Sequence, residues 1–139
     1  MKFDRDALKT GIPLIDKQHD DYADLADSFF HLASKGDVTR DQLSDAVDKV
    51  IKYAIEHFDA EEHLMMSIDY PHYEEHRIKH DVFRDRTDCC SADVQETDDV
   101  DAYAVTLSKW LITWFCDQVQ IDDLKLANYI RKRNLVVKT

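Results

Sequence analysis

Two pairs of ligand-type residues, His57/Glu61 and His76/His80, each stand four apart in stretches whose apolar residues recur with a helical period. Residues at i and i+4 lie one turn apart on the same helix face, so each pair offers two ligand atoms to one small volume. Both pairs also fall on the apolar stripe. Leu43, Val47, Val50, Ala54, Phe58, Leu64 and Ile68 run past the first pair, and Tyr73 and Phe83 continue the series past the second. Imidazoles and a carboxylate that face a core need partners, because burying them unsatisfied costs several kcal/mol. A metal centre inside a helical bundle answers for all four.

The remainder of the chain reads as helices that would complete such a bundle. After a lead-in over residues 1–15 carrying Gly11 and Pro13, Asp16 is expected to cap a first helix reaching Lys35. Its inward stripe is His19, Tyr22, Ala26, Phe29 and Ala33, and Gly36 stops it. Thr39 with Gln42 forms a capping-box pattern for a second helix ending near Met66. Asp69 and Pro71 open a third, with Pro71 in its first turn, running to Arg86. The polar stretch Thr87 to Asp99 is expected to break the helical pattern or fray it. Val100, Tyr103, Leu107, Leu111, Trp114 and Gln118 share a face of the fourth helix. Asp122-Asp123 would interrupt it before a closing segment with Leu126, Tyr129 and Ile130. The expected fold is therefore all-α: one domain over 1–139, with an antiparallel up-down-up-down four-helix bundle and closing segment over 16–130.

Composition narrows the functional classes. With only two Gly and two Pro, and 44% hydrophobic residues, the chain suits a compact helical protein rather than a disordered one. Eighteen basic against twenty-nine acidic residues leave a net charge of −11, which opposes nucleic-acid and anionic-membrane partners. Lys125, Arg131, Lys132, Arg133 and Lys138 read as a solvated helix end. No apolar run is long enough to span a membrane and the N-terminal residues do not resemble a signal peptide, so a cytoplasmic location is expected. Cys89, Cys90 and Cys116 have no metal-type spacing and read as reduced thiols.

Of seven histidines, His19, His57, His76 and His80 lie on inward faces, while His31, His63 and His72 are expected to face solvent. Four inward imidazoles from three helices, with an inward Glu, make a nitrogen-rich set with hard carboxylates and no sulfur. Such a set suits iron, manganese or zinc better than calcium or magnesium. Five or more ligands exceed what a tetrahedral zinc site takes, and carboxylates can bridge two metals.

In order and spacing these residues resemble the bacterial hemerythrins, a family of oxygen-binding di-iron four-helix bundles. Gly-Ile-Pro-Leu-Ile-Asp-Lys-Gln-His, residues 11–19, is similar to the family's opening, which ends on its first His ligand. His57-Phe-Asp-Ala-Glu61 matches the family's His-x-x-x-Glu, and His76-Arg-Ile-Lys-His80 its His-x-x-x-His. The last family motif, a His followed five residues later by an Asp, corresponds to Gln118-Val-Gln-Ile-Asp-Asp123, so its Asp is present and its His is replaced by Gln118.

The resemblance implies two non-haem irons bridged by an oxo or hydroxo group and by Glu61 and Asp123. His76, His80 and residue 118 would serve one iron, and His19 and His57 the other. The latter keeps an open position for dioxygen, held as a peroxide-level adduct in a pocket walled by Met65, Trp114, Phe115 and Val119. An oxygen-binding module for carriage, storage or sensing follows, with dioxygen, small anions and peroxide as ligands and with fusion to, or association with, a signalling protein among the expectations. The competing expectations are a di-iron enzyme with peroxidase-type activity and a metal-free or zinc-loaded structural bundle. An amide oxygen is a poorer donor than imidazole, so Gln118 is expected to make the site more open to exogenous ligands and its oxygen binding less durable.

Overall fold

The computed structural model describes residues 6–135, and within them every regular element is helical. A 3-10 turn at Asp6–Leu8 precedes α1 (Pro13–Ser34), α2 (Arg40–Ser67), α3 (Tyr73–Thr87), α4 (Cys90–Glu96) and α5 (Val100–Asp117); a π-helical turn at Gln118–Asp123 then leads into α6 (Leu124–Lys132). α3 with α4 forms one broken rod, and α5, the π turn and α6 form another. Together with α1 and α2 they make the expected four-helix bundle, α1 packing on α2 and α5, and α2 also on α3 and α4. No helix among the described residues is long and apolar enough to cross a membrane.

Local chemistry sets the boundaries. The first helix starts at Pro13, three residues before the expected cap, because the fixed proline φ is already helical at the first position. Asp16 instead reaches back from the first turn, accepting hydrogen bonds from Thr10 N and Oγ1 at 2.7 Å and from Gly11 N at 3.1 Å. Gly11 has φ +84°, and a Cβ there would lie 2.7 Å from the Arg131 guanidinium. The Thr39/Gln42 capping box is present in both directions. Pro71 lies in the turn ahead of α3 rather than in its first turn, and His72 takes the cap position.

The expected break over Thr87–Asp99 is largely a helix. Cys90 and Val94, four apart and both fully buried, anchor α4 against α2. Arg40 fastens it by donating to the carbonyls of Val94 at 2.6 Å and Thr97 at 2.9 Å. The fourth helix is also rotated from its expected face: Ala104, Leu107, Ser108, Leu111, Ile112 and Phe115 are buried, while Val100, Tyr103 and Trp114 sit on its flanks.

Two apolar clusters fill the bundle. The larger includes Tyr22, Phe29, Val47, Ala54, Phe58, Phe83, Leu111 and Phe115; the smaller joins Ile12, Ile15, Leu64, Met65, Leu126 and Ile130. On α1, His19 falls between Ile15 and Tyr22, and on α2, Glu61 falls between Phe58 and Leu64. The polar residues therefore form a layer between the two clusters. Lys125, Arg131, Lys132 and Arg133 are exposed as expected, and Lys138 lies outside the described residues.

Candidate metal centre

Each of the four bundle rods contributes to this layer. α1 supplies His19, α2 supplies His57 and Glu61, α3 supplies His76 and His80, and the π turn supplies Gln118 and Asp123. All seven are buried, from 0% exposure at His80 and Asp123 to 5% at His57. His31 and His63 are exposed and His72 is partly so, leaving them outside the site.

The π turn decides whether the last two residues can share the layer. Residues five apart in an α-helix point about 140° from each other at 3.6 residues per turn. Hydrogen bonding from i to i+5 widens the turn and brings residue i+5 back over residue i. Gln118 and Asp123 are thus both buried on one face, and the helix continues through the interruption expected at Asp122-Asp123.

Within the layer, ligand-type atoms of His19, His57, Glu61 and Asp123 all lie within 4.8 Å of one another. Those of Glu61, His76, His80 and Asp123 do likewise, so two groups share both carboxylates. His19 Nε2 lies 2.7 Å from Asp123 Oδ2, and His57 Nε2 lies 3.4 Å from Glu61 Oε2. His76 Nε2 approaches Glu61 Oε1 at 2.5 Å and Asp123 Oδ1 at 3.0 Å, and His80 Nε2 lies 3.2 Å from Glu61 Oε1.

Most of these approaches are short without being hydrogen bonds. Both Glu61 oxygens, Asp123 Oδ1, His76 Nε2 and His80 Nε2 are buried and lack a partner in hydrogen-bond geometry, as is Gln118 Nε2. Each orphaned group costs about 1–3 kcal/mol. Lone pairs that converge on common points without pointing at one another fit cations held between them. The donor set fits a transition metal: imidazole nitrogens and carboxylates with no thiolate.

The electrostatics of the metal-free layer agree. Burial pushes Asp123 up, but its hydrogen bond with His19 and the imidazoles of His57 and His76 beside it hold it well below the usual carboxylate range. Burial and Asp123 likewise work against Glu61, yet His57, His76 and His80 bring it below its ordinary value. Burial opposes the charged form of His76, but Asp123 and Glu61 outweigh it and lift its pKa to about 10. Against the same burial, His19 is raised chiefly by Asp123, and His80 by Glu61 and Glu62. Two buried anions favour protons on the imidazoles of this layer, a place a cation could take.

The profile of the Hemerythrin HHE cation binding domain family matches residues 10–129. The chain belongs to the hemerythrin family. It is similar to the bacteriohemerythrin of Stenotrophomonas maltophilia, 29% identical over 128 residues that cover 91% of this chain and 80% of that protein. The Clostridium acetobutylicum bacteriohemerythrin is 26% identical over 118 residues, covering 83% and 90%. That of Pseudomonas aeruginosa is 27% identical over 128 residues, covering 91% and 80%. Membership gives this hemerythrin-family chain an iron-binding role, for which the His/Glu/Asp layer is the candidate.

Around the layer lie residues that the sequence reading did not single out. Gln18 Oε1 sits 2.7 Å from His57 Nδ1, and Glu62 Oε2 sits 2.9 Å from His80 Nδ1. Arg84 holds the same Glu62 oxygen at 2.5 Å and also donates to Asp81 and Asp59. Phe58 stacks on His80 with ring centroids 4.2 Å apart. The expected pocket residues divide. Phe115 packs edge-on against His19 at 5.6 Å, Met65 and Val119 are buried, and Trp114 is half-buried on the flank next to Phe58.

Proposed function

We propose that this layer is a non-haem di-iron centre that binds dioxygen, for sensing, storage or carriage. His19 and His57 serve one iron, His76 and His80 with residue 118 the other, and Glu61 and Asp123 bridge them along with a solvent-derived oxo or hydroxo group. The observation that carries this reading is the sharing of Glu61 and Asp123 between the two four-residue groups. One metal needs four to six donors, and a set that divides about two common carboxylates suits a pair. When bound, two ferrous ions supply the two electrons that hold dioxygen reversibly.

The chain's own residues do the rest. Phe115, Tyr22, Phe58 and Val119 keep bulk water from the layer. Gln18 and Glu62 fix the orientation of His57 and His80, as outer partners of ligating imidazoles do. Gln118 supplies an amide where the family motif has an imidazole, so one ion is held by fewer strong donors. The expected consequence is a shorter-lived oxygen complex and greater reactivity towards peroxide.

Optical spectroscopy tests this reading. The iron-loaded protein should show absorption of an oxo-bridged ferric pair that disappears on reduction and changes reversibly with oxygen. Sustained turnover of peroxide with a reducing substrate would favour instead a di-iron peroxidase, a reading that the weaker donor at Gln118 keeps in play. Three free cysteines suit the reducing cytoplasm within this proposal. Association with a signalling protein would make the chain a sensor module.

A further inference from the structure

A cleft of about 210 Å³ opens between α3 and the π turn, lined by Lys79, Val82, Trp114, Asp117, Gln118, Ile121 and Asp122. Water occupies about 30 Å³ in the liquid, so the cleft has room for several small molecules. Two of its lining residues, Lys79 and Val82, flank His80 in the sequence. Gln118 is only 4% exposed, lines the cleft, and has a buried Nε2 with no partner. Val82 and Ile121 are 54% and 60% exposed, apolar side chains left open to solvent on opposite walls. Lys79 Nζ crosses from α3 to the π turn and donates to both Asp122 oxygens at 2.8 Å. Gln118 is thus the member of the layer that reaches the cleft wall, with its Nε2 buried just behind that wall and without a partner.

We propose that this cleft admits small neutral ligands of the hydrogen-peroxide class to the His76/His80 side of the layer, with the Gln118 amide as the hydrogen-bonding group that receives them and the Lys79–Asp122 ion pair as its latch. The proposal rests on the di-iron reading above. An imidazole at 118 would be committed to a metal, whereas an amide keeps hydrogen-bond donors free for a small oxygen ligand. Charge sets the class of ligand. Asp117 and Asp122 outnumber Lys79 around the cleft, in a chain of net charge −11, so anions are disfavoured and neutral molecules are not.

Two readouts test it. In the metal-free Trp110→Phe protein, whose remaining tryptophan is Trp114, neutral acrylamide should quench fluorescence clearly more than iodide does. Equal quenching by the two, or none by either, overturns the cleft's selectivity whatever the metal content. In the reduced, iron-loaded protein the reaction with hydrogen peroxide is followed by stopped flow. Ferrous iron, where bound, would supply the two electrons that break the O–O bond, and two protons from solvent would complete two waters. Val82→Trp and Ile121→Trp, which fill the cleft from opposite walls, should each slow this reaction severalfold at unchanged iron content. Lys79→Met should speed it. Unchanged rates in both tryptophan variants overturn the proposal. A protein that binds fewer than two irons overturns the di-iron reading instead, while the quenching result still stands for the cleft.

Discussion

Gln118 and Asp123 stand five residues apart and are both buried on one face of the last rod, because the helix between them is wound as a π turn. In a plain α-helix one of the two would face away from the layer. The turn therefore brings the Asp123 carboxylate and an amide whose Nε2 has no partner to the same place. It resembles a one-residue insertion in an α-helix, a local cost set against the position it gives Asp123.

Removing the exposed Gln120 should return this segment to α-helical winding, with Gln118 and Asp123 then four apart and still on one face. The fold is expected to survive with a single cooperative melt by circular dichroism. Metal affinity should fall, since the Asp123 carboxylate moves relative to Glu61. A variant that fails to fold would contradict the view that the turn serves the site rather than the bundle.

Glu62 is expected to matter as much as a ligand's immediate neighbour does. It fixes His80 through Nδ1 and is itself held by Arg84. Glu62→Ala should weaken metal binding by roughly 10–100-fold in a chelator competition, while Asp59→Asn, at the exposed end of the same network, should change it little. Equal effects of the two substitutions would remove Glu62 from its positioning role.

The metal-free protein should lose stability on both sides of a mildly acidic optimum. His76 is raised from 6.5 to about 10, so its contribution is complete below 6.5 and disappears as pH rises through about 10. Asp123 and Glu61 are lowered, so their contributions are present above the ordinary values of 3.8 and 4.5 and are lost on acidification below them. Melting temperature should therefore be highest near pH 5–6 and fall towards pH 10. Iron binding, which needs neutral imidazoles, should flatten the alkaline side. An apo-protein that is most stable at pH 9 would contradict this.

Much of this buried layer was legible in the sequence, and the failures have physical causes. His19, His57, Glu61, His76 and His80 lie on long 3.6-period stripes, so helix and inward face could be read together. α4 was missed because Cys90 and Val94 are its only buried residues, too few to show a period within a polar stretch. The π turn breaks the assumption on which periodic reading depends, and so Asp122-Asp123 looked like an interruption. Gln18 and Glu62 sit one residue off the stripe, where polar side chains normally face solvent. Trp114 was assigned inward by its spacing, yet the helix is rotated so that Phe115 takes the core position.

Gln118→His should lengthen the life of the oxygen complex, because an imidazole both strengthens the donor set and removes the free amide from the cleft. Autoxidation followed optically after oxygenation of the reduced protein checks this. Equal lifetimes in the two proteins would mean that residue 118 does not govern how the site handles oxygen.

Metal analysis decides whether the two four-residue groups divide Glu61 and Asp123 between two irons. The purified chain, loaded with ferrous iron under anaerobic conditions and freed of excess, is predicted to hold two irons per folded chain. A saturating content of one, or none, would contradict it.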